Sequence, residues 1–141
     1  MKMDDAAAPL RPLLLVGGAA VYDPSGRVLI CQRPDHKQLG GLWEFPGGKV
    51  EPDEPPELAL VRELKEELDL SVAPDALDPY AFASHAYPDF HLLMPLYIVT
   101  RWQGELKLDP NAAQAMKWGR PIELGGHPMP PAAVVLVDRL I

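Results

Sequence analysis

Two short apolar runs near the beginning of the chain have the length and composition of β-strands. Residues 13–21 read LLLVGGAAV and residues 27–33 read RVLICQR, and the DPSG segment between them is rich in turn-forming residues. Apolar runs of this length on either side of a Pro-Gly turn are typical of paired strands. The pattern therefore predicts a β-hairpin formed by 13–21 and 27–33, in preference to the apolar core of a signal peptide.

A repeat of aliphatic positions marks the segment 56–68. Leu58, Val61, Leu64 and Leu68 recur at the three- and four-residue spacing that places side chains on one face of an α-helix. The prolines at the start of this segment fit a helix N-terminus, because the first N–H groups of a helix have no partner within it. We predict one amphipathic helix over 56–68.

The remainder of the chain gives weaker signals, of which one hairpin is the clearest. Two β-rich runs separated by Pro-Asp, at 80–87 and 90–102, predict two antiparallel strands. The other expectations are a polar loop at 34–41, short strands at 42–45 and 116–118, a strand or loop at 71–77, an irregular segment at 119–131 and a closing helix at 132–141. Strands mixed with two helices predict an α/β (α+β) fold in which helices cover a sheet.

The length of 141 residues is near that of one ordinary domain. The chain shows no internal repeat and no linker-like stretch, and 48% of its residues are hydrophobic, which is enough for one core. We expect a loose N-terminal tail at 1–12, followed by a single domain at 13–141.

Charge and cysteine content exclude several kinds of protein. The formal net charge is −7, which argues against binding a nucleic acid polymer through a basic face. Cys31 is the only cysteine, so neither an intramolecular disulfide nor a cysteine-based zinc site is expected. No apolar run reaches the ~20 residues of a membrane span. The composition fits a cytoplasmic protein without a membrane partner, and it leaves open whether that protein is a monomer or a homodimer.

The predicted helix carries a concentration of carboxylates. Glu63, Glu66 and Glu67 share one face, although like charges three and four residues apart repel each other. One interpretation is an ordinary solvated face, since glutamate is a good helix former. The other is a divalent cation, because the helix follows a Gly-Gly loop and offers only oxygen donors, which selects Mg²⁺ or Mn²⁺ over zinc. Such a site predicts metal-assisted hydrolysis of a phosphate anhydride.

The segment 48–70 resembles the Nudix box. Gly48 is followed after five residues by Glu54 and, after seven more, by the run RELKEELDL at 62–70. The arrangement is similar to the family pattern at every specified position except the last glycine, which is Asp69 here. Aspartate tolerates the left-handed conformation of a helix-ending glycine, so we expect an intact helix end. The resemblance implies the Nudix fold, a mixed curved β-sheet sandwiched between α-helices.

Two further stretches resemble the MutT-type (8-oxo-dGTP diphosphatase-like) subfamily of Nudix hydrolases. They are CQRP at 31–34 and GLWEFPGGKVE at 41–51, and the overall likeness extends over 13–141. The resemblance implies a nucleoside triphosphate pyrophosphohydrolase that releases a nucleoside monophosphate and pyrophosphate. It implies Mg²⁺ as the cofactor, with Mn²⁺ as the alternative, and a role in sanitising the nucleotide pool.

The resemblance also implies roles for individual residues. The implied metal ligands are Gly47, Glu63, Glu66 and Glu67, the implied catalytic residues are Glu54, Arg62 and Glu63, and the implied substrate-binding residues are Arg33, Glu44, Phe45 and Lys49. Glu63 is the candidate general base, and Arg62 would hold the glutamates by ion pairing. Arg33 and Lys49 would contact phosphates, for which cationic side chains are suited. Glu44 and Phe45 would lie beside the base pocket. For Phe45, packing in the core is an equal alternative.

Two positions depart from the subfamily pattern. Ala112 stands where relatives often carry a glutamate before the late Trp, and Ala133 stands where they tend to carry a base-reading Asn or Asp. A site that hydrogen-bonds its substrate rejects wrong bases better than an apolar one. The resemblance favours an 8-oxo-dGTP diphosphatase. It leaves two alternatives, a CTP or modified dCTP pyrophosphohydrolase and a nucleotide-binding Nudix regulator with weakened catalysis.

Overall fold

The computed structural model describes residues 11–141, so positions 1–10 of the predicted tail lie outside the described residues. In chain order the elements are β1 (Leu13–Val21), β2 (Val28–Gln32), β3 (Trp43–Glu44), β4 (Gly47–Lys49), α1 (Pro56–Leu68), a 3₁₀ turn (Pro74–Ala76), β5 (Asp78–Ala86), β6 (His91–Val99), β7 (Ala115–Gly119), α2 (Pro121–Leu124) and α3 (Pro131–Leu140). The mixture of strands and helices agrees with the predicted α+β class.

The strands form two sheets. The first has the order β4-β1-β6-β5, in which β1 runs parallel to β6 and antiparallel to β4. The second is antiparallel and has the order β3-β2-β7. Because β1 and β6 are parallel, a long crossover must join them, and α1 lies within that crossover.

The predicted hairpin between the first two apolar runs is wrong, because β1 and β2 belong to different sheets. Tyr22 and Val28 form an isolated bridge where the two segments diverge. The turn between them is closed by Asp23, whose Oδ1 accepts a hydrogen bond from the Arg27 N–H at 2.8 Å. A continuous apolar run marks a buried strand but does not identify its partner, which is why the sequence pattern failed here.

Both β1 and β2 lie between two apolar clusters. On β1, Ala19 and Val21 belong to the cluster that contains the leucines of α1, whereas Ala20 belongs to the cluster that contains α3. On β2, Cys31 belongs to the cluster with the leucines of α1, and Ile30 belongs to the cluster with α3. The sheets therefore bury both faces, with a helix packed against each. This arrangement confirms the predicted layer of strands between helices.

The later elements agree with the sequence prediction in part. The hairpin of β5 and β6 is confirmed, with a bulge between Pro79 and Ala81, and so are β7 and α3. The 3₁₀ turn occupies the segment predicted as strand or loop. Neither β4 nor α2 was predicted, because three and four residues are too short to show a periodic pattern. Among residues 11–141, no helix is long and apolar enough to cross a membrane.

Helix α1 begins and ends where the periodicity predicted. Asp69 follows its last residue with φ 57° and ψ 27°, the left-handed conformation expected at this position. The Asp69 N–H donates to the Lys65 carbonyl oxygen at 3.1 Å, and its carboxylate pairs with the Lys65 ammonium at 2.8 Å. Asp69 therefore ends the helix in the way that the family's glycine would.

The buried face of α1 differs from the predicted stripe. Leu60, Leu64 and Leu68 are fully buried, whereas Leu58 is 48% exposed. The helix packs against β1 and β4, and this position turns Leu60 rather than Leu58 toward the core. Because Leu58 precedes Leu64 by six residues, it lies about 120° away from Leu64 around the helix, outside the buried face that Leu60, Leu64 and Leu68 form at four-residue spacing.

This difference gives a matched test of the packing. Leu64→Ala should lower the free energy of unfolding by about 2–5 kcal/mol, because a fully buried side chain is removed and a cavity remains. Leu58→Ala should cost about 1 kcal/mol or less, since half of this side chain already contacts water. Urea unfolding followed by circular dichroism measures both values. Equal losses from the two substitutions would contradict the described orientation of α1.

Candidate active site

An open cleft of about 490 Å³ lies where α1, β4 and two loops meet. Its size is within the usual range for a small-molecule site. The residues that line it are Arg33, Lys37, Glu44, Gly47, Gly48, Lys49, Glu51, Glu63, Glu66, Glu67, Asp109, Asn111 and Ala112. All of the predicted metal ligands are among them, together with three of the four predicted substrate-binding residues.

Two of the three clustered glutamates meet directly in this cleft. The carboxyl groups of Glu63 and Glu67 lie within hydrogen-bonding reach of each other. Burial raises the pKa of the Glu67 carboxyl well above its ordinary value, and the hydrogen bond and negative charge of Glu63 raise it further. Glu66 lines the same cleft but is 60% exposed, and it turns toward Arg62 at 3.6 Å.

The glycines of β4 make room for these carboxylates. A Cβ on Gly48 would lie 2.6 Å from each carboxylate oxygen of Glu63, which is closer than real Cβ contacts. A Cβ on Gly47 would collide with the carbonyl oxygen of Gly17 on the neighbouring β1. The Gly-Gly sequence therefore lets β4 pair closely with β1 while the Glu63 carboxylate packs against its backbone.

Arg62 ties the carboxylates to the loop before α1. Its Nε and Nη2 donate to the two oxygens of Glu54 at 3.0 and 2.9 Å, and its Nη1 donates to Glu63 Oε1 at 3.0 Å. Nη2 also donates to the carbonyl oxygen of Lys49 at 3.3 Å. The hydrogen bonds from Arg62 lower the pKa of the Glu54 carboxyl, and a bidentate pair of this kind fixes orientation as well as charge.

A second ion pair lies on the other side of the cleft. The Arg33 Nη1 donates to Glu44 Oε2 at 2.9 Å, and its Nε donates to the Gln38 carbonyl oxygen at 2.8 Å. Burial raises the pKa of the Glu44 carboxyl, and Arg33 beside it acts in the opposite direction. Two of the five N–H groups of the Arg33 guanidinium are therefore engaged by protein atoms.

Phe45 is the one predicted substrate-binding residue that does not line the cleft, and the predicted catalytic residues Glu54 and Arg62 do not line it either but connect to it through the hydrogen bond from Arg62 to Glu63. Phe45 is 3% exposed and belongs to the apolar cluster packed around α3. This placement favours the core-packing alternative for Phe45 over contact with a substrate.

Four residues that line the cleft were given no role from the sequence. One is Glu51, which lies two residues after β4, and the other three are Lys37, Asp109 and Asn111. Lys37 lies in the loop predicted at 34–41, and the other two lie in the loop before β7. That second loop reaches the cleft because the Asp109 N–H donates to the carbonyl oxygen of Glu67 at 2.8 Å. No local pattern indicates such a contact between residues far apart in the chain.

The two alanines that depart from the subfamily pattern have different surroundings. Ala112 lines the cleft beside Asp109, so the position of the missing glutamate does face this site. Ala133 is 3% exposed and lies in the first turn of α3, and it does not line the cleft. On this side of the cleft, the glutamate of the subfamily pattern is therefore absent, and the carboxylate that is present belongs to Asp109.

The donor set of the cleft fits a hard divalent cation. Its lining offers carboxylates and backbone carbonyls and includes neither histidine nor cysteine, which suits Mg²⁺ or Mn²⁺. Within residues 11–141, no three His, Cys, Asp or Glu side chains already converge as a closed metal cage. Glu66 lies 3.6 Å from Arg62 rather than beside the other two glutamates, whose carboxyl groups are within hydrogen-bonding reach of each other.

Comparison with known proteins identifies the family. The chain belongs to the NUDIX domain family, whose sequence profile matches residues 18–139. It is a hydrolase that acts on phosphoric anhydrides, and it shares with this family the general need for a divalent metal.

Within this family, the chain is similar to proteins of the MutT group. The 8-oxo-dGTP diphosphatase of Proteus vulgaris is 43% identical over 94 residues, which cover 66% of this chain and 81% of that protein. The CTP pyrophosphohydrolase of Escherichia coli K12 is 38% identical over 125 residues, which cover 87% and 88%.

A solved structure supports the same fold. The crystal structure of a MutT NUDIX hydrolase from Burkholderia pseudomallei matches with a TM-score of 0.82 and 26% identity, covering 93% of this chain and all of that one. The predicted Nudix fold is thereby confirmed.

The contact between Gly48 and Glu63 can be tested through metal binding. Gly48→Ala should leave the fold intact, because the added Cβ meets only the flexible end of Glu63, but it should displace that carboxylate. We expect Mn²⁺ affinity, measured by electron paramagnetic resonance, to fall about tenfold or more. Gly125→Ala is the control, since a Cβ there has nothing within 4 Å. Unchanged Mn²⁺ affinity in the Gly48 variant would show that metal binding does not need Glu63 in this position.

Proposed function

We propose that the protein is a Mg²⁺-dependent nucleoside triphosphate pyrophosphohydrolase that yields a nucleoside monophosphate and pyrophosphate, with 8-oxo-dGTP as its leading substrate. The observation that carries this proposal is the packing of the Glu63 and Glu67 carboxylates against the Gly47–Gly48 backbone in a cleft of small-molecule size. The match of the family profile over 18–139 also supports one domain at 13–141.

The residues present would hold a metal ion in a defined manner. Glu63, Glu66, Glu67 and the carbonyl oxygen of Gly47 would be its ligands, and Mg²⁺ or Mn²⁺ bound there would neutralise phosphate charge and lower the pKa of the attacking water. Arg62 would keep the glutamates oriented, as its contacts with Glu63 and Glu66 support.

The protein groups would then move the proton and fix the substrate. We assign Glu63 as the general base that accepts a proton from the attacking water, and Glu54 as the anchor of Arg62. Lys49 and Arg33 would contact the phosphates from two sides of the cleft, since both side chains line it. Glu44 would lie beside the nucleobase, held by its ion pair with Arg33.

The identity of the base is the finer part of the proposal. Relatives named 8-oxo-dGTP diphosphatase come from Proteus vulgaris, Escherichia coli and Haemophilus influenzae. The CTP pyrophosphohydrolase of Escherichia coli matches a longer part of this chain than the Proteus enzyme does, which favours CTP or a modified dCTP as the second candidate. Ala133, which is apolar and buried, offers no side-chain hydrogen bond to read a purine edge.

A nucleotide panel tests the proposed reaction. With Mg²⁺ and 8-oxo-dGTP, dGTP, CTP, dCTP, ADP-ribose or a dinucleoside polyphosphate, we expect pyrophosphate release and the highest kcat/KM for 8-oxo-dGTP. Highest kcat/KM for CTP or dCTP would transfer the assignment to the second candidate. Turnover of none of these compounds would favour the nucleotide-binding regulator. Release of phosphate without pyrophosphate would contradict the proposed cleavage.

Two isosteric substitutions test the assigned glutamates. Glu63→Gln and Glu67→Gln should each lower Mg²⁺-dependent kcat by about a hundredfold or more, because a metal ligand or the proton acceptor is lost. Neither should lower the melting temperature, since each removes repulsion between two neighbouring carboxylates. Glu105→Gln, at an exposed glutamate that does not line the cleft, is the matched control and should retain full activity. Near-wild-type rates in both cleft variants would refute the site assignment.

A further inference from the structure

Three cationic side chains line the cleft, and their partners differ. Arg33 is engaged by Glu44 and by the carbonyl oxygen of Gln38. In the part of the chain that the structure describes, the ammonium groups of Lys37 and Lys49 make neither an ion pair nor a hydrogen bond with protein, although both residues line the cleft. Lys37 and Lys49 are therefore the two cleft cations whose charged groups have no protein partner among the described residues, whereas only part of the Arg33 guanidinium remains free.

The loop that carries Lys37 is held in place by hydrogen bonds. The backbone N–H of Lys37 donates to the Pro34 carbonyl oxygen at 3.1 Å, and the Lys37 carbonyl oxygen accepts from the Gly40 N–H at 2.9 Å. From the loop before β7, the Gln114 Nε2 donates to Asp35 Oδ1 at 2.8 Å and to the Arg33 carbonyl oxygen at 2.9 Å. These contacts give Lys37 a fixed base beside the cleft and leave its side chain free to move.

The lining of the cleft carries more negative than positive side chains, so an additional free cation would help a phosphate ligand to bind. Six carboxylates line the cleft, namely Glu44, Glu51, Glu63, Glu66, Glu67 and Asp109, against three cations. Such a surface repels a polyphosphate, and a single divalent ion compensates only part of the negative charge. A lysine ammonium is a mobile point charge that follows phosphate oxygens without a fixed fork geometry, so it suits a flexible phosphate chain.

We propose that Lys37 is a further substrate-binding residue, which binds the phosphate chain together with Lys49 and Arg33, while Arg33 also positions Glu44. The two lysines stand on different elements, the loop after β2 and strand β4, so each would contact a different part of the chain. The cleft therefore favours ligands with several linked phosphates over monophosphates. This inference rests on the proposed function, because it assumes that a polyphosphate ester occupies the cleft.

Binding of inorganic tripolyphosphate in excess Mg²⁺, measured by titration calorimetry, tests this role without any turnover or nucleobase. Lys37→Ala should raise the dissociation constant about tenfold, as expected for one charge-assisted contact at a partly exposed site. Lys37→Arg, which keeps the charge, should remain within about threefold of the wild type. Lys107→Ala is the control, because Lys107 is exposed and does not line the cleft, and it should bind as the wild type does.

Several results would overturn the role of Lys37. They are equal binding by the wild type and the Lys37→Ala variant, equal weakening by the Lys37 and Lys107 substitutions, and failure of the wild type to bind tripolyphosphate. For hydrolysis of a nucleoside triphosphate, Lys37→Ala should raise KM and leave kcat nearly unchanged. If the binding results hold and the wild type releases no pyrophosphate from any nucleotide, the proposed function fails and the assignment of Lys37 stands.

Discussion

The contact network of Arg62 is the interaction on which the rest of the cleft depends. Its guanidinium binds both oxygens of Glu54, one oxygen of Glu63 and the carbonyl oxygen of Lys49, so it joins α1 to the loop and strand that precede it. Without this cation, neighbouring carboxylates on one helix face would repel each other and turn toward water. Arg62 therefore keeps a like-charged cluster in one place, which would pre-organise the carboxylates that we propose as metal ligands.

The carboxylate cluster also depends on close packing of the backbone at β4. Because neither Gly47 nor Gly48 has a Cβ, β4 can lie close to β1 on one side and to the Glu63 carboxylate on the other. The buried Leu60 and Leu64 lie on the adjacent face of α1 and anchor the helix in the core. A short strand and an amphipathic helix thus hold the carboxylates by contacts that do not themselves take part in chemistry.

Chemistry and specificity are separate in this cleft. The carboxylates, the glycines and Arg62 belong to the segment 47–67, and under the proposed function they supply the hydrolytic chemistry. Selection of the nucleotide would depend on other walls of the cleft, where Ala112 takes the place of an acidic residue and Asp109 and Lys37 contribute charge. The relatives reflect this separation, since proteins named for 8-oxo-dGTP and for CTP are both similar to the chain.

Features that arise from residues close together in the chain could be predicted from the amino-acid order. The bounds of α1, its left-handed end at Asp69 and the shared face of the glutamates all follow from helical hydrogen bonds and spacings of three or four residues. Tertiary structure decided what depends on contacts between distant segments. It placed β1 and β2 in different sheets, buried Phe45 in the core and brought Asp109 to the cleft through a backbone hydrogen bond to Glu67. Such contacts leave no local periodicity, because their energy comes from packing and pairing across the fold.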